Sequence, residues 1–321
     1  MTSLRLTRRR IVLGAVAGAA SLAWQRRSGA VSAHSTAPAG AAGALTVGGD
    51  LDVNRMGFGA MRITGPGIWG DPKDLDEARN VLRRAVDLGV NFIDTADAYG
   101  PEVSERLIAE ALHPYPKELV VATKGGLTRP GPSEWVADGT PKHLREACQN
   151  SLKRLKLERI DLYQLHAIDS KVPLEESLGE LARLQKEGKI RHIGVSNFKL
   201  DELKRAQRVV PVVSVQNRYN VVDRTSQDVL DYCTSEHIAF IPWAPLARGI
   251  PEARPNKSEG EAFKKVAVDH NISDLQLAIT WLLAKSPVML PIPGTGSVAH
   301  LEENVAAARV QLTPQELAAI G

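Results

Sequence analysis

What most constrains this chain is an alternation sustained over most of its length. From Leu45 onward, short apolar runs take turns with amphipathic segments of helical period. The runs are Met56–Gly59, Asn91–Asp94, Leu119–Lys124, Ile160–His166, Ile190–Ser196, Val212–Asn217, Ala239–Ala244 and Val288–Pro293. Short apolar runs bounded by turn signals read as strands buried on both faces. The segment Asp74–Leu88 carries Leu75, Ala78, Val81, Leu82, Ala85, Val86 and Leu88, close to a 3.6-residue period. Val103–Leu112, Pro141–Leu155, Leu174–Lys186, Leu200–Val209, Ser226–Glu236, Leu275–Lys285 and Ser297–Ala307 follow as helices. Thr140-Pro141 gives one of them a cap and a first-turn proline, and Gly89 and Gly188 close two others. Strand–helix units in series predict parallel strands with crossover helices. Eight of them in about 275 residues predict an α/β fold, a closed (β/α)8 TIM barrel, as a single domain over 45–321.

The competing arrangement is an open, doubly wound sheet. It requires a Gly-x-Gly-x-x-Gly turn after the first strand. Here Gly57-Phe58-Gly59-Ala60-Met61-Arg62 stands in that place, followed by a glycine-rich loop, Thr64–Gly70, with a single Trp69. Trp69 either lines a pocket or packs the loop onto the rim.

Residues 1–44 are set apart from the fold. Arg8-Arg9-Arg10 precede a short apolar run, Ile11–Ala23, rich in Ala and Gly. That run is shorter than the ~20 residues of a membrane span. A basic region followed by a short apolar one is the layout of an export signal, and paired arginines point to the twin-arginine type. Val31-Ser32-Ala33 offers small residues for cleavage. Arg26 and Arg27, beyond the apolar run, are unusual for such a signal; the alternative is a cytoplasmic protein whose start codon lies further on. Ser28–Ala44 reads as an Ala/Gly/Ser/Pro-rich disordered linker. Net charge is +3 with both signs interspersed, which gives no broad basic face for nucleic acid. Cys148 and Cys233 read as buried thiols, with neither a disulfide framework nor metal spacing.

In such a barrel, chemistry sits at the C-terminal ends of the strands. Those ends are polar almost throughout. Strand two ends in Asp94, strand three in Lys124, strand four in His166, strand five in Ser196-Asn197, strand six in Gln216-Asn217 and strand seven in Trp243-Ala244-Pro245. Strand eight runs into Pro293-Gly294-Thr295-Gly296-Ser297. Any one of these has an ordinary explanation, such as a cap or a surface pair. Their convergence on one face points to a site.

The ordered pieces Asp-Thr-Ala-Asp-x-Tyr-Gly (94–100), Thr-Lys (123–124), Leu-His (165–166), Gly-Val-Ser-Asn-Phe (194–198), Val-Gln-Asn-x-Tyr-Asn (215–220), Pro-Leu-Ala-x-Gly (245–249), Ile-Pro-Gly-Thr (292–295) and Glu-Glu-Asn (302–304) carry a resemblance. Over residues 45–321 the sequence resembles the aldo-keto reductases, with loops closest to bacterial, pyridoxal reductase-like members. The resemblance implies reduction of an aldehyde or ketone by hydride from a nicotinamide, a transfer no side chain can supply. It places the catalytic tetrad at Tyr99, Asp94, Lys124 and His166. Tyr99 is then the proton donor; Lys124 is expected to lower its pKa from about 10. Asp94 supplies the counter-charge a buried lysine needs. His166, as neutral imidazole, orients the carbonyl oxygen.

The same resemblance implies cofactor contacts. Ser196, Asn197 and Gln216 would hold the nicotinamide carboxamide, and Trp243, a Tyr in many members, would stack on its ring. Leu246, Gly294, Thr295, Ser297, His300, Glu303 and Asn304 would line the adenosine and phosphate end. Many members carry basic residues where Gly294 and His300 stand, so NADPH is expected with weakened preference over NADH. No metal is implied. Two other readings stay in view: a cofactor-binding redox regulatory subunit with little turnover, and an isomerase or aldolase using Lys124 as a Schiff base.

Overall fold

A computed structural model of the chain describes residues 37–246 and 257–321. The leader over 1–36 and residues 247–256 lie outside the described residues. In chain order the elements are a hairpin of β1 (Ala44–Val47) and β2 (Leu51–Asn54), then β3 (Phe58–Gly59), α1 (Leu75–Asp87), β4 (Phe92–Asp94), α2 (Val103–Leu112) and β5 (Val120–Gly125). A two-stranded pair, β6 (Leu127–Thr128) and β7 (Val136–Ala137), precedes α3 (Pro141–Leu155), β8 (Ile160–Leu165), α4 (Leu174–Lys186), β9 (Ile190–Ser196) and α5 (Leu200–Gln207). The remainder is β10 (Val212–Arg218), α6 (Gln227–Ser235), β11 (Ala239–Trp243), α7 (Lys257–Asp269), α8 (Asp274–Lys285), α9 (Val298–Ala306) and α10 (Pro314–Ile320).

Seven strands pair in parallel in the order β3-β4-β5-β8-β9-β10-β11. The eighth run closes the barrel without forming a regular strand. Phe240 exchanges backbone bonds of 2.9 Å with Val288 and Leu290 on one side, and the Gly57 N–H reaches the Pro291 carbonyl at 3.0 Å on the other. Pro291 and Pro293 deprive this run of amide donors, which limits it to isolated bonds. Arg55 reinforces the seam by donating to the carbonyls of Leu283, Ser286 and Met289.

The barrel interior is one apolar cluster: Phe92, Val120, Ala122, Leu162, Ala239, Ile241, Leu290 and Ile292, joined from below by Val47, Leu51 and Val53 of the hairpin. These positions alternate along each strand, as inward-facing residues must. The helices cover the outer face through two larger clusters. Local signals operate as expected: the Thr140 hydroxyl accepts the His143 N–H, and Gly89 and Gly188 adopt φ of 86° and 74°.

Two stretches depart from the sequence reading. The stretch read as a linker up to Ala44 is ordered from Ala37. Pro38–Ala42 forms a 3-10 turn, with Ala39 fully buried and its N–H on the Leu88 carbonyl at 2.9 Å. Small residues mimic a linker in composition, yet they also permit close packing. The β1–β2 hairpin and the helices α7 and α10 went unread. Both cysteines are free and buried, and burial pushes each thiol up to about 12.

Candidate active site

The inward alternation continues past the apolar layers. Asp94 lies two residues beyond Phe92, Lys124 two beyond Ala122 and Gln164 two beyond Leu162, so their side chains enter the top of the barrel. Lys124 is wholly buried and its ammonium is satisfied threefold: Asp94 Oδ2 at 2.6 Å, the Thr95 carbonyl at 2.8 Å and Tyr99 Oη at 3.3 Å. Asp94 Oδ1 accepts from Gln164 Nε2 at 3.1 Å and Gln216 Nε2 at 2.8 Å. A buried ion pair persists only with such complete pairing. Gln164 was not singled out in the sequence; its signal is the polar residue at an inward position of an otherwise apolar strand.

Tyr99 stands on the turn after β4, whose amide bonds to the Ala96 carbonyl at 3.1 Å and folds the ring back over the strand end. An ammonium only donates. Tyr99 Oη is therefore the acceptor from Lys124, and the phenolic proton remains to be given elsewhere. The expected lowering of the phenol's pKa is not what this environment produces. Burial pushes it up, the nearby Asp94 and Asp97 add to that, and Lys124 offsets only part. Tyr99 is thus held as a neutral acid. Burial lowers Lys124, but Asp94 and Tyr99 outweigh it and hold the ammonium above its usual range.

His166 follows β8, its backbone N–H on the Gly125 carbonyl at 2.9 Å and its ring 5.8 Å from that of Tyr99, edge to face. Burial, then Lys124 and Arg129, depress its pKa well below the ordinary value, so the imidazole is neutral. Trp135, on the β6–β7 turn, meets both rings at 6.2 and 6.3 Å. Arg129 stacks on Trp135 at 3.7 Å and lies 5.7 Å from Trp69, which places both tryptophans at the mouth. Neither Arg129 nor its loop contacts carried a sequence motif.

Asn197 has φ of 64° and a fully engaged amide. Its Nδ2 donates to the His166 carbonyl and to Ser196 Oγ, both at 3.1 Å, and its Oδ1 accepts the Trp243 indole N–H at 2.9 Å. Trp243 is half-buried at the end of β11, with Arg218 over its ring at 5.6 Å. Leu246 packs against both outer clusters. Thr295 Oγ1 accepts the Ser297 N–H at 3.1 Å, and Ser297 precedes α9 without a side-chain cap bond. The first α9 amide, of Val298, instead goes to Glu77 Oε1 at 3.0 Å. Glu303 is committed to Ser273 Oγ at 2.5 Å, Asn304 is buried, and His300 is exposed.

Gly294 lies against the barrel seam. A Cβ there would fall on the Gly59 carbonyl across the barrel seam, so no side chain fits. At Gly296 a Cβ would stand 3.3 Å from the Arg62 carbonyl, a less severe but still tight contact.

A parallel barrel with a buried lysine–carboxylate pair, a phenol held as a neutral acid and a neutral imidazole at its mouth defines a class of carbonyl-handling oxidoreductase. The chain belongs to the Aldo/keto reductase family, whose profile matches residues 55–321. It is 52% identical over 286 residues to an uncharacterised oxidoreductase of Schizosaccharomyces pombe, covering 89% of this chain and 91% of that one. It is 38% identical over 278 residues to the pyridoxine 4-dehydrogenase of Escherichia coli K12, covering 85% and 95% respectively. An aldo/keto reductase of Klebsiella pneumoniae, solved with NADP and acetate, superposes with a TM-score of 0.73 at 25% identity, covering 86% and 93%.

Proposed function

We propose that the chain reduces an aldehyde or ketone to an alcohol with NADPH, with Tyr99 as the acid. The observation that carries this is the bond from Lys124 Nζ to Tyr99 Oη, which leaves the phenolic proton as the one available for transfer. The nicotinamide supplies the hydride when bound. A carbonyl oxygen placed beside Tyr99 and His166 meets one proton donor and one neutral imidazole, and Tyr99 gives up its proton as charge develops on that oxygen. The Lys124 ammonium, 3.3 Å from Tyr99 Oη, then stabilises the resulting phenolate, and Asp94 keeps that lysine charged.

The residues present fit the cofactor unevenly. At the nicotinamide end, Trp243 offers an indole whose tilt is set by Asn197, and Ser196 and Gln216 adjoin the tetrad. Because the Asn197 amide is already engaged, holding the carboxamide falls more to Ser196 and to the oxygen of Gln216. At the phosphate end, Ser297 and Thr295 offer hydroxyls, but Glu77 brings a carboxylate to the start of α9. NADPH is favoured because the Klebsiella relative was solved with NADP; the carboxylate keeps NADH usable. Similarity to pyridoxine 4-dehydrogenase makes pyridoxal the first substrate to try. The Schiff-base reading is disfavoured, since a lysine held charged by Asp94 is not a nucleophile.

The test is NADPH oxidation against a carbonyl panel that includes pyridoxal, with Tyr99→Phe beside wild type. Full activity in Tyr99→Phe would remove the acid assignment. Binding of NADPH with no turnover on any carbonyl would favour the regulatory subunit. Export through residues 1–33 is a separate proposal, resting on their sequence. A folded reporter fused behind them should be exported, and replacing Arg9 and Arg10 by Lys should stop it.

A further inference from the structure

Arg129 is the cation that the proposed chemistry does not use. It is 9% exposed and forms no ion pair among the described residues. Its guanidinium is instead spent on four backbone carbonyls: Nε on Glu134 at 2.7 Å, Nη1 on Ile68 at 3.0 Å and Ala98 at 2.9 Å, and Nη2 on Gly67 at 3.1 Å. Those carbonyls belong to three separate segments: the glycine-rich loop after β3, the turn that carries Tyr99, and the β6–β7 hairpin that carries Trp135. One side chain therefore holds together the whole substrate side of the mouth. A planar, forked cation can reach four carbonyls and also lie flat on an indole; a lysine ammonium has only three donors on one atom and no plane to stack.

We infer that Arg129 is the positioning residue that builds an aromatic wall from Trp69 and Trp135 beside Tyr99, and that this wall selects flat aromatic carbonyls over small aliphatic ones. The inference rests on the reductase reading. Trp135 is 37% exposed, a large indole left open at the mouth while in edge contact with Tyr99 and His166. Arg129 backs it, so the indole is held upright. A flat ring gains stacking area from such a wall, and a short aliphatic chain gains little. The first loop is also tied to the Tyr99 turn by the Gly70 N–H on the Gly100 carbonyl, but among the described residues the Ser133 N–H on the Gly67 carbonyl at 3.3 Å is the one other backbone link between that loop and the hairpin.

The experiment compares wild type with Arg129→Met and Arg129→Lys in the full chain, using two readouts. Hydrogen exchange of the cofactor-free protein reads the positioning directly: amides of residues 67–70 and 131–136 should exchange about tenfold or more faster in both variants, with β9 unchanged. Steady-state kinetics with benzaldehyde and propanal reads the selection. Arg129→Met should lose about 30-fold in kcat/KM for benzaldehyde and about threefold or less for propanal, through KM rather than kcat, with NADPH Kd unchanged. Arg129→Lys should fail to rescue, because it cannot fork. Unchanged exchange, equal losses on both aldehydes, or rescue by Lys would each overturn the inference. If wild type turns over neither these aldehydes nor any carbonyl of the panel that includes pyridoxal, the reductase reading falls by itself. Tryptophan fluorescence then decides the selection: benzaldehyde quenching that weakens in Arg129→Met supports the wall, and equal quenching in both proteins removes it.

Discussion

Two buried carboxylate–cation pairs lie back to back across a single strand. Lys124 of β5 faces the barrel and meets Asp94 at 2.6 Å. Its neighbour Thr123 faces the helices and gives its hydroxyl to Glu105 at 2.6 Å, which in turn pairs with Arg154 at 2.7 Å. In both pairs the carboxylate is almost fully buried. The inner pair has a third member that can exchange a proton with the outside, Tyr99. The outer pair is completed by Ser151 and Glu102, which hold Arg154 in place and leave nothing to react. Beside the outer pair, Asp97 has its carboxyl pushed well up by burial and by Glu105, with Oδ1 enclosed and unbonded. A strongly shifted acid therefore marks the structural pair as readily as the functional one. What separates them is which way the strand points its alternate residues.

The widest separation should come from breaking each pair. Tyr99→Phe, and Lys124→Met more so, should lower kcat by about 10²–10⁴ while NADPH Kd stays within a few-fold. A single-turnover measurement checks that the loss is in the chemical step. Arg154→Leu should instead cost about 3–5 kcal/mol of stability by stranding Glu105, with activity per folded molecule retained. Urea unfolding beside an active-site titration reads both.

The two regions should also differ with pH. His166 has a depressed folded pKa, so its contribution to stability is complete above its unfolded value of 6.5 and is lost as pH falls below that. Asp97 has a raised folded pKa, so its contribution is complete below 3.8 and is lost as pH rises through the raised value. Asp97→Asn should flatten that decline and gain roughly 1 kcal/mol at neutral pH, measured by unfolding from pH 5 to 8. Activity should be insensitive to this change, which is the sharper point. The smallest effects belong to the cofactor side. Glu77→Gln should tighten NADPH over NADH by about 0.3–1 kcal/mol, read as a ratio of Kd values. Trp243→Phe should cost about 1 kcal/mol or less in NADPH binding by freeing Asn197.

The barrel was legible because it rests on periodicity, whereas Tyr99, on a turn outside any run, was grouped with Asp94, Lys124 and His166 only through the resemblance of the ordered motifs. Apolar runs marked the strands, and Asp94, Lys124 and His166 broke those runs at their ends. Asn197 and Trp243 were legible as positions but not as partners, because a hydrogen bond between strand ends leaves no trace in either strand's pattern. Arg129 was not legible at all. Its partners are backbone carbonyls, which every residue possesses, so no neighbouring side chain announces it. Pro38–Ala42 was misread for the opposite reason, since a composition of small residues describes equally a loose chain and a tightly packed one. The reason Gly294 carries no side chain was not legible either, because it is a contact across the seam, between residues more than two hundred apart in sequence.

That seam has a consequence for how the molecule is made. The Arg55 side chain and the Gly57 amide find their partners at 283–291, so on the ribosome the ring stays open until nearly all of the chain has emerged. Asp94 and Lys124 lie on β4 and β5, which are synthesised early, whereas Gln164 and Gln216, which complete the bonding of Asp94, come later on β8 and β10. An elongating chain thus carries its reactive charges well before it can enclose them. During that interval the unclosed edges of β3 and β11 are exposed to neighbours, as unpaired strands are. Arg55, reaching three late carbonyls at once, is the latch that ends it.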